Sequence, residues 1–386
     1  MKHALTTLAA ASTLAFAVLS SSCNKATGPW TDPAIPSDAT DLSAAGTANC
    51  YIVQPGSVSV LDASVKGNSA EPVGEVASAE LVWQSAKGLV KQLEYSSIEK
   101  GIVVQTSSID GNALVAATDA EGNILWSWHL WITDYRPSDS DFTTEPNAAG
   151  TTWTFMDRNL GALNTTHGDP DSYGMLYQWG RKDPFPATVS YTIQNDDYSY
   201  VQDGEPVYYD MDGNELPKFR ELAQGEGTVE KSILNPEVFY TGLAYATKDW
   251  SDESDDDRWG GESMTKSVYD PCPPGYKVPV CDAEGNTPYD YLTYDKIVWD
   301  AEGQGADYDG IWFPATGTRV YASGGLDYNE GYEYSGLWIG TKGDASKDPA
   351  HPDLYGQYKF IIDGRFFNLV SKDARSQGMS LRCVRE

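Results

Sequence analysis

Between Asn49 and Tyr135 the chain repeats one cadence: a short run rich in Val, Ile, Leu and aromatic side chains, then Gly, Asn or Asp, then another run. The runs read CYIV, SVSVL, AELVWQ, LVKQLEY, GIVVQT, NALVAATD and NILWSWHLWITDY, dense in residues that suit a pleated surface. Asp110-Gly111-Asn112 and Glu121-Gly122-Asn123 supply the positive-φ positions that tight hairpins need. Roughly seven strands over 49–135 predict a β-sandwich, assigned to 48–135. In WSWHLW a period of two puts Trp126, Trp128 and Leu130 on one face and Ser127, His129 and Trp131 on the other. His129 is then expected on the less buried side or bonded to a carbonyl.

Residues 136–150, RPSDSDFTTEPNAAG, lose this periodicity and read as a linker. A chain of 386 residues exceeds what one core usually organises, so a second folded part is expected over 151–386. That part is rich in Gly, Tyr and Trp and reads as mainly β with an α+β character. Short helices are expected at Tyr173–Gly180 and within Pro288–Asp300, and strands at WIGTKG, YKFIIDGRFFNLV and MSLRCVRE. Ser190–Arg258 is dominated by Asp, Asn, Tyr, Gly and Pro and reads as long surface loops.

The N-terminus has the form of an export signal: a basic Met-Lys-His, an apolar ALTTLAAASTLAFAVL and small residues before Cys23. It is read as a lipoprotein signal over 1–22, with Cys23 the lipidated residue and 23–47, rich in Pro, Ala, Ser, Thr and Asp, a flexible tether. Ser20 occupies the place where the usual lipobox has Leu, so a plain secretory signal is the competing reading. The expected location is the outer membrane, facing the cell surface or the periplasm, with the membrane met only through the lipid. Formal net charge is −29, which argues against nucleic acid as a partner.

Four phrases stand in order along the second part: TFMDRNLGA, YGMLYQWGRKDPFP, YDPCPPGYKVP and the terminal SLRCVRE. Together they resemble the Fibrobacter-type major paralogous domain of exported proteins in Bacteroidota and related bacteria. The resemblance implies a C-type-lectin-like fold with long loops over 151–386. It also implies that Asp157, Arg158, Asn159, Gly161, Trp179, Gly180, Arg181, Asp183 and Pro184 are determinants of that fold. The stretch 48–135 is similar to segments of Bacteroidales fimbrillin-like lipoproteins, some thought to sit at pilus tips. The fold class expected is therefore mainly β: a β-sandwich followed by a C-type-lectin-like domain.

Chemistry-bearing residues are sparse. After the signal only His129, His167 and His351 remain among histidines, none beside a nucleophile motif, and no HExxH, GxGxxG or P-loop occurs. No reaction is assigned. His167, in NTTHGDPDSYG, reads as a solvent-facing loop residue. Asp157 and Arg158 close a β-like run, and a buried ion there must be paired, so either is expected to bond with backbone or with a partner such as Arg181 or Asp183. Cys272, held among prolines, is expected to bond Cys383 and close a loop of about 110 residues, although Cys281 competes for either partner and Cys50 is also available.

DWSDESDDDRWGG and DAEGQGADYDG concentrate oxygen ligands. Asp255, Asp256 and Asp257 are candidate calcium ligands, against the plainer reading of a solvated acidic loop, and Trp250 and Trp259 are candidate rings of a sugar site. The expected function is binding or adhesion, of fimbrial or pilus-tip type, through the loops of Ser190–Gly261 and Asp300–Glu333. The partners expected are a glycan or another surface ligand, and pilus subunits. The competing readings are a glycan-processing enzyme or accessory protein, and a purely structural pilus subunit.

Overall fold

A computed structural model describes residues 35–187, 206–217, 226–242, 249–300, 305–327, 336–342 and 374–386, with further strands at 191–193, 200–202, 221–222, 357–363 and 366–371. The fold is mainly β, 34% strand against 5% helix, so its backbone pairing joins segments far apart in sequence. Cys23 and His351 lie outside the described residues, as do 190, 194–199, 203–205, 218–220, 223–225, 243–248, 301–304 and 328–333 of the expected binding loops.

The first half contains β1 (Thr40–Asp41), β2 (Cys50–Val53), β3 (Val58–Asp62), β4 (Ser78–Gln84), β5 (Val90–Ser96), β6 (Gly101–Thr106), β7 (Gly111–Thr118) and β8 (Ile124–Ile132). They form two four-stranded sheets, in the orders β1-β3-β6-β5 and β2-β8-β7-β4. Leu61, Ile102 and Val104 of one sheet and Val53, Val115, Trp126 and Trp128 of the other share a core cluster. The expected tether is corrected here, because its last third is folded. β1 pairs with β3, Leu42 N–H donates to Val60 O at 2.8 Å, and Ser43 Oγ lies 3.0 Å from the Tyr51 hydroxyl.

The second face of β8 is as buried as the first. Trp131 Nε1 donates to Ala162 O at 3.1 Å and Ser127 Oγ to Asp183 Oδ1 at 2.7 Å. Cys50, Trp83, Leu114 and Trp131 share one cluster with Met156, Leu160, Trp179, Cys272 and Cys383. Pro33–Glu386 is accordingly one compact unit. The stretch 136–150 is built into it: β9 (Phe142–Thr143) pairs with β10 (Thr154–Phe155), and Asp141 Oδ2 accepts 2.6 Å hydrogen bonds from Tyr276 and Arg385.

Two expected helices are strands. In YGMLYQWG, β11 (Met175–Gln178) pairs with β12 (Phe185–Pro186) and with Gly378–Ser380, and is bounded by Gly174 and Gly180 at φ 74° and 83°. The Pro288–Asp300 segment gives only a 3₁₀ turn, Tyr294–Lys296, before the strand Ile297–Asp300. Sheet pairing outcompeted local helix propensity in both places. The terminal stretch is divided between sheets: Gly378–Ser380 joins β11, and Val384–Arg385 joins β10. Cys272 is disulfide-bonded to Cys383, while Cys50 and Cys281 are buried thiols.

Candidate functional site

Three antiparallel strands, Ile297–Asp300, Gly305–Tyr308 and Ile311–Pro314, read IVWD, GADY and IWFP. Period two sends Ile297, Trp299, Ala306, Tyr308, Ile311 and Phe313 into one hydrophobic cluster. The other face carries Val298, Asp300, Gly305, Asp307 and Trp312. Asp307 is opposite both Val298 and Trp312, and Asp300 is opposite Gly305. Gly305 is required there: a Cβ would stand 2.5 Å from the Trp312 ring and 2.6 Å from Phe313 O.

The loop after β10 covers this ring. Asn164 accepts Thr166 N–H at 2.9 Å, and Asp169 caps the Pro170–Ser172 turn through Asp171 N–H. Ser172 Oγ in turn accepts Trp312 Nε1–H at 3.3 Å. His167, between these fixed points, stacks on Trp312 with ring centroids 3.8 Å apart and planes at 18°. Its Nδ1 is 3.0 Å from Asp300 Oδ2 and its Nε2 3.9 Å from Asp307 Oδ2. The side chains of His167, Asp300 and Asp307 are 43%, 34% and 29% exposed, so the imidazole and both carboxylates are oriented by protein yet meet solvent. Val298, 62% exposed, adds an apolar spot on the same face. Chemically this arrangement can accept and donate hydrogen bonds at fixed positions. The neighbouring hydroxyl, Ser172, is buried and accepts from Trp312, so it is not presented as a nucleophile.

The motif residues lie elsewhere, inside the protein. Arg181 Nη1 donates to Val238 O and Gln178 Oε1 at 2.6 and 3.0 Å, and Nη2 to Pro236 O at 3.1 Å. Lys182 Nζ meets Asp183 Oδ1 at 2.7 Å and Ser127 O at 3.0 Å. Asn159 Nδ2 donates to Tyr173 O at 3.1 Å while its Oδ1 accepts from Arg382, and Trp179 Nε1 donates to Ile339 O at 2.9 Å. Gly161 and Gly180 are left-handed, at φ 87° and 83°, against Met175 and Arg258, and Pro184 is buried. Of the partners expected for Asp157 or Arg158, the backbone is the one found: Arg158 Nη1 donates to Leu163 O at 3.3 Å, and among the described residues no bond to Arg181 or Asp183 is formed. Arg158 Nε pairs with Asp157 Oδ1 at 2.8 Å and its guanidinium lies 3.8 Å from the Tyr135 ring centroid. His129 is fully enclosed rather than on the less buried side, and of the two expectations the bond to a carbonyl is the one met, its Nε2 lying 2.8 Å from the amide oxygen of Asn112.

Trp250 and Trp259 are core residues rather than a sugar platform, each 1% exposed. Their indole N–H groups donate to Trp179 O and Arg181 O at 2.7 and 3.2 Å. The acidic run is committed to contacts within the protein, with Asp255 exposed and Asp256 and Asp257 half-buried. Burial opposes ionisation of Asp256, but hydrogen bonds from Lys342 and Arg375 outweigh it and hold the carboxyl below its ordinary range. Asp257 Oδ1 accepts the N–H groups of Glu262 and Ser263 at 2.9 and 2.8 Å, and Asp255 Oδ1 accepts Asp257 N–H at 2.9 Å. The three carboxylates therefore serve cations and turns instead of converging, and among the described residues no group of three His, Cys, Asp or Glu side chains is placed to hold a metal ion. No described helix is long and apolar enough to cross a membrane.

Sequence reasoning placed His167 in a solvent-facing loop and DAEGQGADYDG among acidic clusters, but did not join them. The signal that could have done so is the alternation in IVWD, GADY and IWFP, which sets Asp300, Asp307 and Trp312 on one face. No family model, curated protein or solved structure matches the chain.

Proposed function

We propose that the chain is an exported, lipid-anchored binding protein of the outer membrane, an adhesin of fimbrial or pilus-tip type, whose ligand meets the His167, Asp300, Asp307 and Val298 face. In this reading the two packed sheets of the first half are a fimbrillin-like β-sandwich. The second half is a C-type-lectin-like module whose motif residues hold the fold. The observation that carries the proposal is the His167 stack: hydrogen-bonding groups held in place by Trp312 and two carboxylates, and half exposed. Preorganised polar groups beside an apolar spot suit a hydroxyl-rich ligand such as a glycan.

Two features weigh against the competing readings. Asp300 and Asp307 flank one imidazole, and the Trp312 ring lies beneath it at 3% exposure, so no aromatic-lined cleft separates the carboxylates as a glycosidase would require. The sheet edges β4 and β5 carry exposed Glu80, Lys91 and Gln92, unlike the apolar open edge expected of a strand-exchanging subunit.

The test is a glycan array probed with the full chain, with and without chelator, beside His167→Ala and the double variant Asp300→Asn, Asp307→Asn. Binding to a defined glycan that survives chelation and is lost in both variants is expected. A silent array, or binding indifferent to these substitutions, would reject this face as the site.

A further inference from the structure

A groove of about 440 Å³ opens beside the small sheet made by β9, β10, Tyr276–Lys277 and Val384–Arg385, within the size range of small-molecule sites. Its lining follows from register. Val384 lies opposite Phe155 on one side and Lys277 on the other, so these three side chains share a face, and Trp153, two residues before Phe155, shares it with them. Phe155 and Val384 are core residues of the cluster that also holds Cys281. Where that core reaches the surface, Trp153, Val280, Cys281 and Val384 line the groove together with Met264, which is 43% exposed.

The charged side chains lining the groove are Lys277, Arg385, Asp282 and Glu386. Three of them are already engaged. Arg385 Nε donates to Asp141 at 2.6 Å, Asp282 Oδ2 accepts from the side chains of Asn147 and Asn286 at 2.7 and 2.9 Å, and Glu386 Oε1 is 3.4 Å from Lys266 Nζ. Lys277 Nζ differs: it donates to a neutral group, the Met264 carbonyl at 2.9 Å, and has no carboxylate partner among the described residues. Met264 itself holds φ 58°, a left-handed conformation that residues with a side chain seldom adopt. Lys277 has three donors, and among the described residues one is used. In a chain of net charge −29 the long-range field repels anions, so an anion held here would depend on direct contact with that ammonium.

We propose that this groove binds a small carboxylate with an apolar body. Its carboxylate meets Lys277 Nζ and its apolar part rests on Trp153, Cys281, Val384 and Met264. The site is separate from the His167 face and does not depend on it.

The chain has 6 methionines, so methyl-labelled methionine gives a spectrum simple enough for Met264 to report on the groove, its resonance assigned with Met264→Leu. Titration of the full chain with 3-phenylpropionate is expected to shift that resonance. The isosteric 3-phenylpropanamide is expected to bind about ten-fold more weakly, the loss that follows from removing one charged hydrogen bond. Lys277→Met should abolish the difference between acid and amide, and Lys277→Arg should keep it. A Met264 resonance moved by neither compound, equal affinity for both, or an acid preference that survives in Lys277→Met would each overturn the proposal. Should Lys277→Met fail to fold, its methyl spectrum collapses as a whole, and the comparison of acid with amide on the unaltered chain decides.

Discussion

At the scale of single residues, two enclosed titratable groups act in opposite directions on acid stability. Burial pushes His129 down to about 3. Asn112 Nδ2 donates to Gly161 O, so Asn112 Oδ1 is the acceptor for His129 Nε2–H at 2.8 Å, and the neutral ring is the form that fits. Burial pushes Asp270 up to about 6, against Lys266 and the N–H groups of Val278 and Cys272. An unfolded His titrates near 6.5, so stability from His129 is intact above that pH and is lost as pH falls towards 3. An unfolded Asp titrates near 3.8, so stability from Asp270 is fully present below that pH and is lost as pH rises through 6. Between pH 6.5 and 4.5 the former withdraws about 2 kcal/mol and the latter returns about 2, so they nearly cancel. His129→Gln should therefore gain stability on going from pH 7 to pH 4.5 relative to the parent chain, and Asp270→Asn should lose it, as read from urea midpoints at the two pH values. Parallel shifts in all three proteins would show that neither group titrates as described. Gly305→Ala is a third case at this scale. Its Cβ meets the Trp312 ring, so a cost of about 1–3 kcal/mol is expected, with loss of the His167 stack visible in Trp fluorescence.

At the scale of elements, the disulfide joins a proline-bracketed turn to the end of the chain across a sequence separation of 111. Cys383 precedes Val384, which pairs with both β10 and Tyr276–Lys277. One covalent bond thus ties down the small sheet that borders the groove. Cys383→Ser is expected to lower stability by about 4–5 kcal/mol from restored freedom of the unfolded chain. The denaturation midpoint of the parent chain should then fall under reductant to that of the variant. A midpoint unmoved by reductant would count against this role. Gly174 and Gly180 show how elements end here, since left-handed glycines on either side of β11 stop a strand whose sequence invites a helix.

At the scale of the whole molecule, the halves are joined by polar groups as well as by apolar packing. Ser127 of β8, Lys182 and Asp183 form a buried set in which Lys182 and Asp183 side chains are each 3% exposed. Asp183→Ala would leave the ammonium buried without its counter-charge, at a cost of about 3–5 kcal/mol. Because Pro33–Glu386 is one compact unit, calorimetry should give a single transition. Two separated transitions, with Asp183→Ala moving only one, would mean that the halves fold independently. The sequence by itself determined what is local. Period-two runs broken by Gly, Asn and Asp mark the strands of 49–135, whereas IVWD, inside an expected helix, takes its core face and its polar face from pairing with GADY and, through it, IWFP. Only the tertiary structure decided the rest. His167 and Asp300 are 133 residues apart, Lys342 and Asp256 86 apart, and no local pattern announces such partners. Trp250 and Trp259 read as exposed rings until the strands around them were seen to enclose them. Periodicity reports which residues share a face of a strand, but whether that face meets water or a second layer of protein depends on the long-range packing of the chain.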